Sequence, residues 1–439
     1  MTDALLRPQN RIAERSIPCP SRPVANRSES PSPEMLIAVS LGLGNALSFH
    51  PRGGITLAHA VVLLGLPVFL STAWQQRVTR WVLGLLLMWG LGVAITSAVT
   101  EDTVFNIFLG MSYPFTIALS FCGAVWVFHQ RAAVAKAFTV SLAIGVIIAV
   151  YLYRSDGYAS DPWKFGFGSV VTACCILLTS AALSRGLRIL ALLLAISIAL
   201  VNLIAGFRSM FLVTTVAVVV TFLASRRAKR PSWWRCLLVG SVLSVIVLGL
   251  LSVYGQLASD GSLGRQQQIK WAKQSRSEGG AVIGARPEFA GSIALVAESP
   301  FIGRGVRPEV SMQSRTAFFS KWRVYNGGTD GPHERYYYFG RGLLVHSILF
   351  QCWLETGILA LPGLLLPVGL VLIAMLRAIR AGAGAPTLMF TFLTCVLLWD
   401  LFFSPWPRLE GLFLGTSAAA AVAYMAVRRR PEPALAAVQ

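Results

Sequence analysis

The sequence predicts an all-α, polytopic membrane protein with about 12 transmembrane helices and one large, mostly helical extracytoplasmic loop. Three observations carry this. Charged residues are 13% of the 439-residue chain and hydrophobic residues 55%, whereas a soluble domain carries about 25% charge. Apolar runs of spanning or near-spanning length recur from residue 35 to residue 427, and a helix needs about 20 mostly apolar residues to cross the hydrocarbon core. One long interruption, 255–342, is polar and aromatic instead.

The elements follow in order. Residues 1–33 are rich in Arg, Ser and Pro, a composition that fits a disordered cytoplasmic tail. The tail is too long and broken for a signal-peptide n-region, so the run from Met35 to Phe49 is read as a retained anchor. Spans are expected near 35–49, 55–73, 81–99, 104–128, 134–153, 168–184, 187–205, 208–224 and 236–254, within a first membrane part, 34–254. The loop occupies 255–342. A loop-end helix and spans near 354–376, 387–403 and 411–427 fill 343–429, and 430–439 is a short cytoplasmic tail. Within the loop, Gln266–Arg276 reads as a polar helix, and Pro287 opens a second helix ended by Glu298-Ser299-Pro300. Gly303–Gly305 reads as a turn.

Orientation comes from Lys and Arg. With the N-terminus inside, every short inner segment is basic: Arg77 and Arg80, Arg131 and Lys136, Arg185 and Arg188, the Arg226–Arg235 cluster, Arg377 and Arg380, and Arg428–Arg430. The short outer segments carry only Arg52, Arg154, Lys164, Arg208 and Arg408. Both termini are therefore expected in the cytoplasm and the loop on the other side. The net charge of +19 is then mostly topology, and nucleic acid is not an expected partner; the lipid bilayer is. The seven cysteines show no metal-ligand spacing, and the loop has none.

Polar groups inside spans are costly and tend to mark function. Asn45, His59, Asn106, Asn202, Arg208, Glu355 and Asp400 all fall toward the outer ends of their spans. A transporter would place such groups near the midplane, so chemistry at the outer leaflet is favoured over transport.

Three segments concentrate chemistry. One is Ala205-Gly206-Phe207-Arg208-Ser209-Met210. Another is Gly284-Ala285-Arg286-Pro287-Glu288-Phe289 with Glu298-Ser299-Pro300-Phe301-Ile302-Gly303-Arg304-Gly305. The third is Val345-His346-Ser347 leading into Leu354-Glu355-Thr356-Gly357-Ile358-Leu359. Together they resemble the O-antigen ligase/polymerase family over roughly residues 200–370. That family has an Arg at an outer span end, an Arg opening a loop helix before a Pro-x-x-Gly-x-Gly turn, and a His-Asn pair before a stretch ending in Glu-x-Gly. Departures are Phe207 in place of a small residue, Pro287 after the loop Arg, and Ser347 in place of Asn.

The resemblance implies a membrane glycosyltransferase of the bacterial inner membrane. Its donor is a glycan on polyprenyl diphosphate and its acceptor a hydroxyl of a glycan, lipid or other molecule. The implied transfer is inverting, metal-independent and without a cofactor. Arg208 and Arg286 would hold the departing diphosphate, since guanidinium binds phosphate oxygens as a fork. His346 would be the general base. Arg304, Arg307, Glu355 and Asp400 complete a candidate substrate-binding set. Other readings stand beside these. Arg208 also fits an interfacial anchor, Arg286, Arg304 and Arg307 solvated charges, and His346 an interfacial histidine. Glu355 and Gly357 fit structural roles, the glycine for packing and the glutamate capping a helix or pairing with an arginine. Glu101–Asp102 could hold a divalent ion in a metal-dependent enzyme. Trp322, Tyr325 and Tyr336–Tyr338 could stack on sugars, form loop core or anchor at the membrane interface. Ligase and polymerase are not distinguished.

Overall fold

The computed structural model describes residues 32–50, 54–153, 161–224, 241, 245, 249, 252–275, 288–326, 335, 339, 343, 345–382, 384–406 and 409–427. These residues are helical apart from connecting turns and one two-stranded ribbon, β1 (Ser48–His50) and β2 (Ile55–Thr56). In chain order the helices are α1 (Pro33–Leu43), α2 (Leu57–Leu64), α3 (Leu66–Trp74), α4 (Arg77–Thr100), α5 (Val104–His129) and α6 (Ala132–Leu152). Next come α7 (Gly168–Ser184), α8 (Arg188–Ile204) and α9 (Arg208–Ala224). The loop contributes α10 (Arg265–Ser275), α11 (Glu288–Glu298) and α12 (Met312–Asn326). The chain closes with α13 (Ile348–Thr356), α14 (Ala360–Arg380), α15 (Gly384–Phe403) and α16 (Glu410–Val427).

Among the described residues, seven helical stretches are long and apolar enough to cross a membrane. They are α4, α5, α6, Trp163–Ser184, Ile348–Arg380, α15 and α16. The pair α2–α3 would make an eighth, bent by 79°. The bend falls at Gly65 with Pro67 just beyond, where a missing N–H donor and a ring clash prevent a continuous helix. Helices α8 and α9 have 17 residues each. At 1.5 Å per residue that is about 25 Å, short of the roughly 30 Å core. The expected span 236–254 lies mostly outside the described residues, as do the tails 1–31 and 428–439.

The expected span 35–49 is a correction. Helix α1 stops at Leu43, and the chain turns through Gly44–Ala46 into the ribbon. Asn45 ends the helix by donating its side-chain amide back to the Leu41 carbonyl at 2.8 Å. A residue that bonds its own preceding turn competes with helix continuation. Thr56 then opens α2: its N–H donates to His59 Nδ1 at 3.0 Å, and its hydroxyl donates to Asn45 Oδ1 at 3.0 Å.

Contacts between helix ends sort into two sets. Near the loop lie Ser48 with Tyr153, Trp163 with Asn202, Asp102 with Val306, and Ser347 with Leu401. At the opposite end Gln76 donates to His129 Nε2 at 2.8 Å, and Gly382 lies beside the Ala224 carbonyl. This is the alternation that consecutive spans impose.

The core is built on α5, whose buried face includes Leu109, Ile117, Phe121 and Val125. Its longest seam is with α16, and glycine sets the approach: a Cβ on Gly415 would stand 2.6 Å from the Ile117 carbonyl oxygen and 2.8 Å from Ser120 Cβ. Close backbone approach is how helices gain packing where lipid supplies no hydrophobic drive between them. The substitution Gly415→Val should therefore cost about 1–3 kcal/mol by overpacking, read as a lowered unfolding midpoint of the detergent-solubilised protein.

Candidate functional site

The site is assembled where the loop meets the helix ends. Helix α4 ends at Glu101 in a left-handed conformation, φ 54°. The following Asp102 carboxylate accepts from the Val306 N–H at 3.0 Å and the Ser97 hydroxyl at 3.2 Å. Thr96, one turn below the helix end, donates to the Ile302 carbonyl at 2.5 Å. The Pro300–Gly305 turn is thus fixed on α4.

The same turn is laced to the end of α13. The Arg304 N–H donates to the Leu354 carbonyl at 2.7 Å and the Gly305 N–H to the Glu355 carbonyl at 3.1 Å. The Ile358 N–H donates back to the Phe301 carbonyl at 3.1 Å, and Trp353 Nε1 donates to the Pro300 carbonyl at 2.7 Å. Glycine is required on both strands of this seam. Gly303 has φ 84° and Gly357 φ 75°, and a Cβ on Gly303 would stand 2.6 Å from the Gly357 nitrogen.

The seam collects the charged groups. Glu355 is buried; its Oε1 accepts from Gln351 Nε2 at 3.3 Å, and Arg307 presents a backbone amide and a positive charge to it. Arg307 is half-buried and has φ 53°, a conformation that costs a non-glycine residue about 1–3 kcal/mol. The Arg304 guanidinium bonds Glu298, which also accepts from the Ser314 hydroxyl at 2.6 Å. Gln351 Oε1 accepts from the Trp406 N–H at 3.3 Å, and the Trp406 ring lies 4.6 Å from Tyr113.

His346 precedes α13 and is half-buried. Its neighbour Ser347 caps α13, accepting from the Phe350 N–H at 3.3 Å, and donates to the Leu401 carbonyl at 2.9 Å. His346 is thereby held at the end of α15, where Asp400 accepts from Ser404 at 2.6 Å. Arg208 opens α9. Its guanidinium lies 4.5 Å from the Tyr254 ring centre and donates to Gln267 of α10 at 3.5 Å. Helix α15, which carries Asp400, packs on α9, which Arg208 opens, and on α14. Arg286 lies outside the described residues, as do Tyr336–Tyr338.

Two residues left open by the sequence acquire defined contacts. Asp102 serves as the acceptor that pins the loop turn. Trp322 is core: it is buried with Phe318 and Phe319 and packs beside α13 through Leu354. Glu410, buried at the head of α16 with Asp400 acting on it electrostatically, was not singled out by sequence. A lone acid opening an apolar run behind Pro405 and Pro407 is the signal that points to it.

Replacing Gly357 by Ala should cost at least about 2 kcal/mol, because its φ and ψ belong to a region only glycine occupies freely. Asp102→Ala should cost about 1–3 kcal/mol by leaving the buried Val306 N–H without its acceptor. Both are read from unfolding midpoints, and limited proteolysis should show faster cutting near residues 300–306.

No protein-family model matches this chain, and no curated protein sequence matches it.

Proposed function

We propose that the protein transfers a glycan from a polyprenyl diphosphate carrier to an acceptor hydroxyl, in the manner of O-antigen ligases. The carrying observation is the seam that ties the Pro300–Gly305 turn to Leu354–Ile358 and gathers Arg304, Arg307 and Glu355 beside the segment holding His346. Two segments of the resemblance, far apart in sequence, meet there.

The chemistry follows from the groups. The acceptor oxygen attacks the anomeric carbon while its proton passes to neutral His346. The bond from that carbon to the diphosphate oxygen breaks, and the carrier leaves as polyprenyl diphosphate. Arg208 and Arg286 offset the charge that grows on the leaving group. Arg307 and Arg304 would assist, each in exchange for the carboxylate it now serves, Glu355 and Glu298. Glu355 and Asp400 orient Arg307 and the acceptor. In this reading the chain is a multi-pass protein of a bacterial inner membrane, and the loop 255–342 covers the site from the periplasm. A repeat-unit polymerase would use the same groups with a second carrier-linked glycan as acceptor.

Transport draws less support. The polar groups at the head of α2, Asn45, Thr56 and His59, bond one another and Ser120 of α5. The cavity that Asn45, His59 and Ser120 help line measures about 20 Å³, room for about one water.

Transfer should be assayed in membranes with a polyprenyl diphosphate-linked glycan and candidate acceptors. His346→Ala should slow it by about 10²–10⁴-fold, the usual worth of a general base. Arg286→Ala and Arg208→Ala should each slow it by about 10²–10³-fold. Chelator should leave the rate unchanged. Full transfer by both His346→Ala and Arg286→Ala would overturn the reading.

A further inference from the structure

The Pro300–Gly305 turn sits deeper than a loop turn on a spanning bundle should. Helix α4 gives the scale. It has 24 residues, about 36 Å of length, with Arg77 and Arg80 at one end and apolar sequence up to Thr100. Thr96, which bonds the Ile302 carbonyl, lies four residues, or about 6 Å, below the helix end. Gly92 lies eight residues, or about 12 Å, below it. A Cβ on Gly92 would stand 2.9 Å from both Leu359 Cβ and Thr356 Cγ2, and Phe301 is bonded to Ile358. Phe301, Ile302 and Ile358 therefore lie one to two turns inside the helix end.

These three side chains point away from the protein. Phe301 is 70% exposed, Ile302 48% and Ile358 45%. On the adjoining face of α4, Leu87, Leu91, Ile95 and Val99 form a stripe at four-residue spacing, all more than half exposed. On a spanning helix such a stripe faces lipid. The three loop-end side chains continue it.

Most of the turn's backbone groups are paired as this depth requires. Hydrocarbon offers no hydrogen bonds, so irregular backbone survives there only when the protein supplies them. The carbonyls of Pro300, Phe301, Ile302 and Gly303 accept from Trp353, Ile358, Thr96 and Ser299. The N–H groups of Gly303, Arg304, Gly305 and Val306 donate to Ser299, Leu354, Glu355 and Asp102. No polar side chain lies between Pro300 and Gly303.

We infer that the Phe301–Ile302 turn, with Ile358 beside it, is a re-entrant element lying among the acyl chains of the bilayer leaflet at this end of the bundle. The turn is then a membrane anchor, and the arginines that follow it, Arg304 and Arg307, rise from it toward headgroup depth. This rests on the spanning helices alone and stands whatever reaction the protein catalyses.

The test uses the intact chain in phosphatidylcholine vesicles that contain phosphatidylcholine with a photoactivatable diazirine near the end of one acyl chain. After irradiation, adducts are mapped by mass spectrometry. Adducts are expected on Phe301–Ile302 as well as on the Ile95–Val99 stretch. Met312, an exposed apolar residue on α12, serves as a second reference outside the turn. Hydroxyl radicals generated in the water phase should oxidise Met312 and spare Phe301. Labelling of Ile95–Val99 with none at Phe301–Ile302 overturns the inference, as does oxidation of Phe301 from the aqueous phase.

Discussion

A peptide group in lipid must bond within the protein, and the architecture around the site depends on how that demand is met. Helices meet it locally. The Pro300–Val306 turn cannot, so it borrows partners from four other places: the Leu354–Ile358 backbone, the Trp353 indole, the Thr96 hydroxyl and the Asp102 carboxylate. Each partner belongs to a spanning or span-flanking element. The turn therefore has one position relative to the bundle, and whatever it carries shares that position.

This explains why glycine occurs where it does. Two irregular backbones approach closely enough for reciprocal hydrogen bonds only if side chains are absent between them. Gly303 and Gly357 meet face to face, and both adopt conformations that L side chains avoid. Arg307 adopts a similar conformation without being glycine. Its strain is held by Val306, buried against Gly110 and Val93 on one side, and by Glu355 acting on the arginine itself.

The long spans were legible in the sequence because a long apolar run leaves the backbone one option in lipid. The runs 81–99, 104–128 and 387–403 became α4, α5 and α15 with modest shifts at their ends. Short or interrupted runs were not legible in the same way. Met35–Phe49 is apolar, yet Asn45 bonds Leu41 and ends the helix early; hydropathy alone does not register that competition. The Gly303–Gly305 turn was visible as a turn, and Glu355-x-Gly357 as a motif. Their pairing was not, because it is made by main-chain atoms whose partners lie some fifty residues away. The same limit hid the role of Asp102: a carboxylate in a short connection looks free until the amide it accepts from is placed beside it.

The position of the turn also bears on how charge is managed at this depth. Glu355 is buried, and Arg307 is the cation that acts on it. Arg307 is held near Glu355 by the same seam that lowers Phe301 and Ile302 beside α4. An anionic group approaching Arg307 would compete with Glu355 for it, and any gain must exceed what that pair already provides. The carrier proposed above, with both an apolar chain and a diphosphate, would meet this condition better than a soluble anion. Its chain would lie along the surface that Phe301, Ile302 and Ile358 continue from α4, while its diphosphate brings more than one negative charge to the arginines. Under the proposed function, the apolar edge of the turn and its cations would be two parts of one arrangement that receives an amphiphile from the membrane.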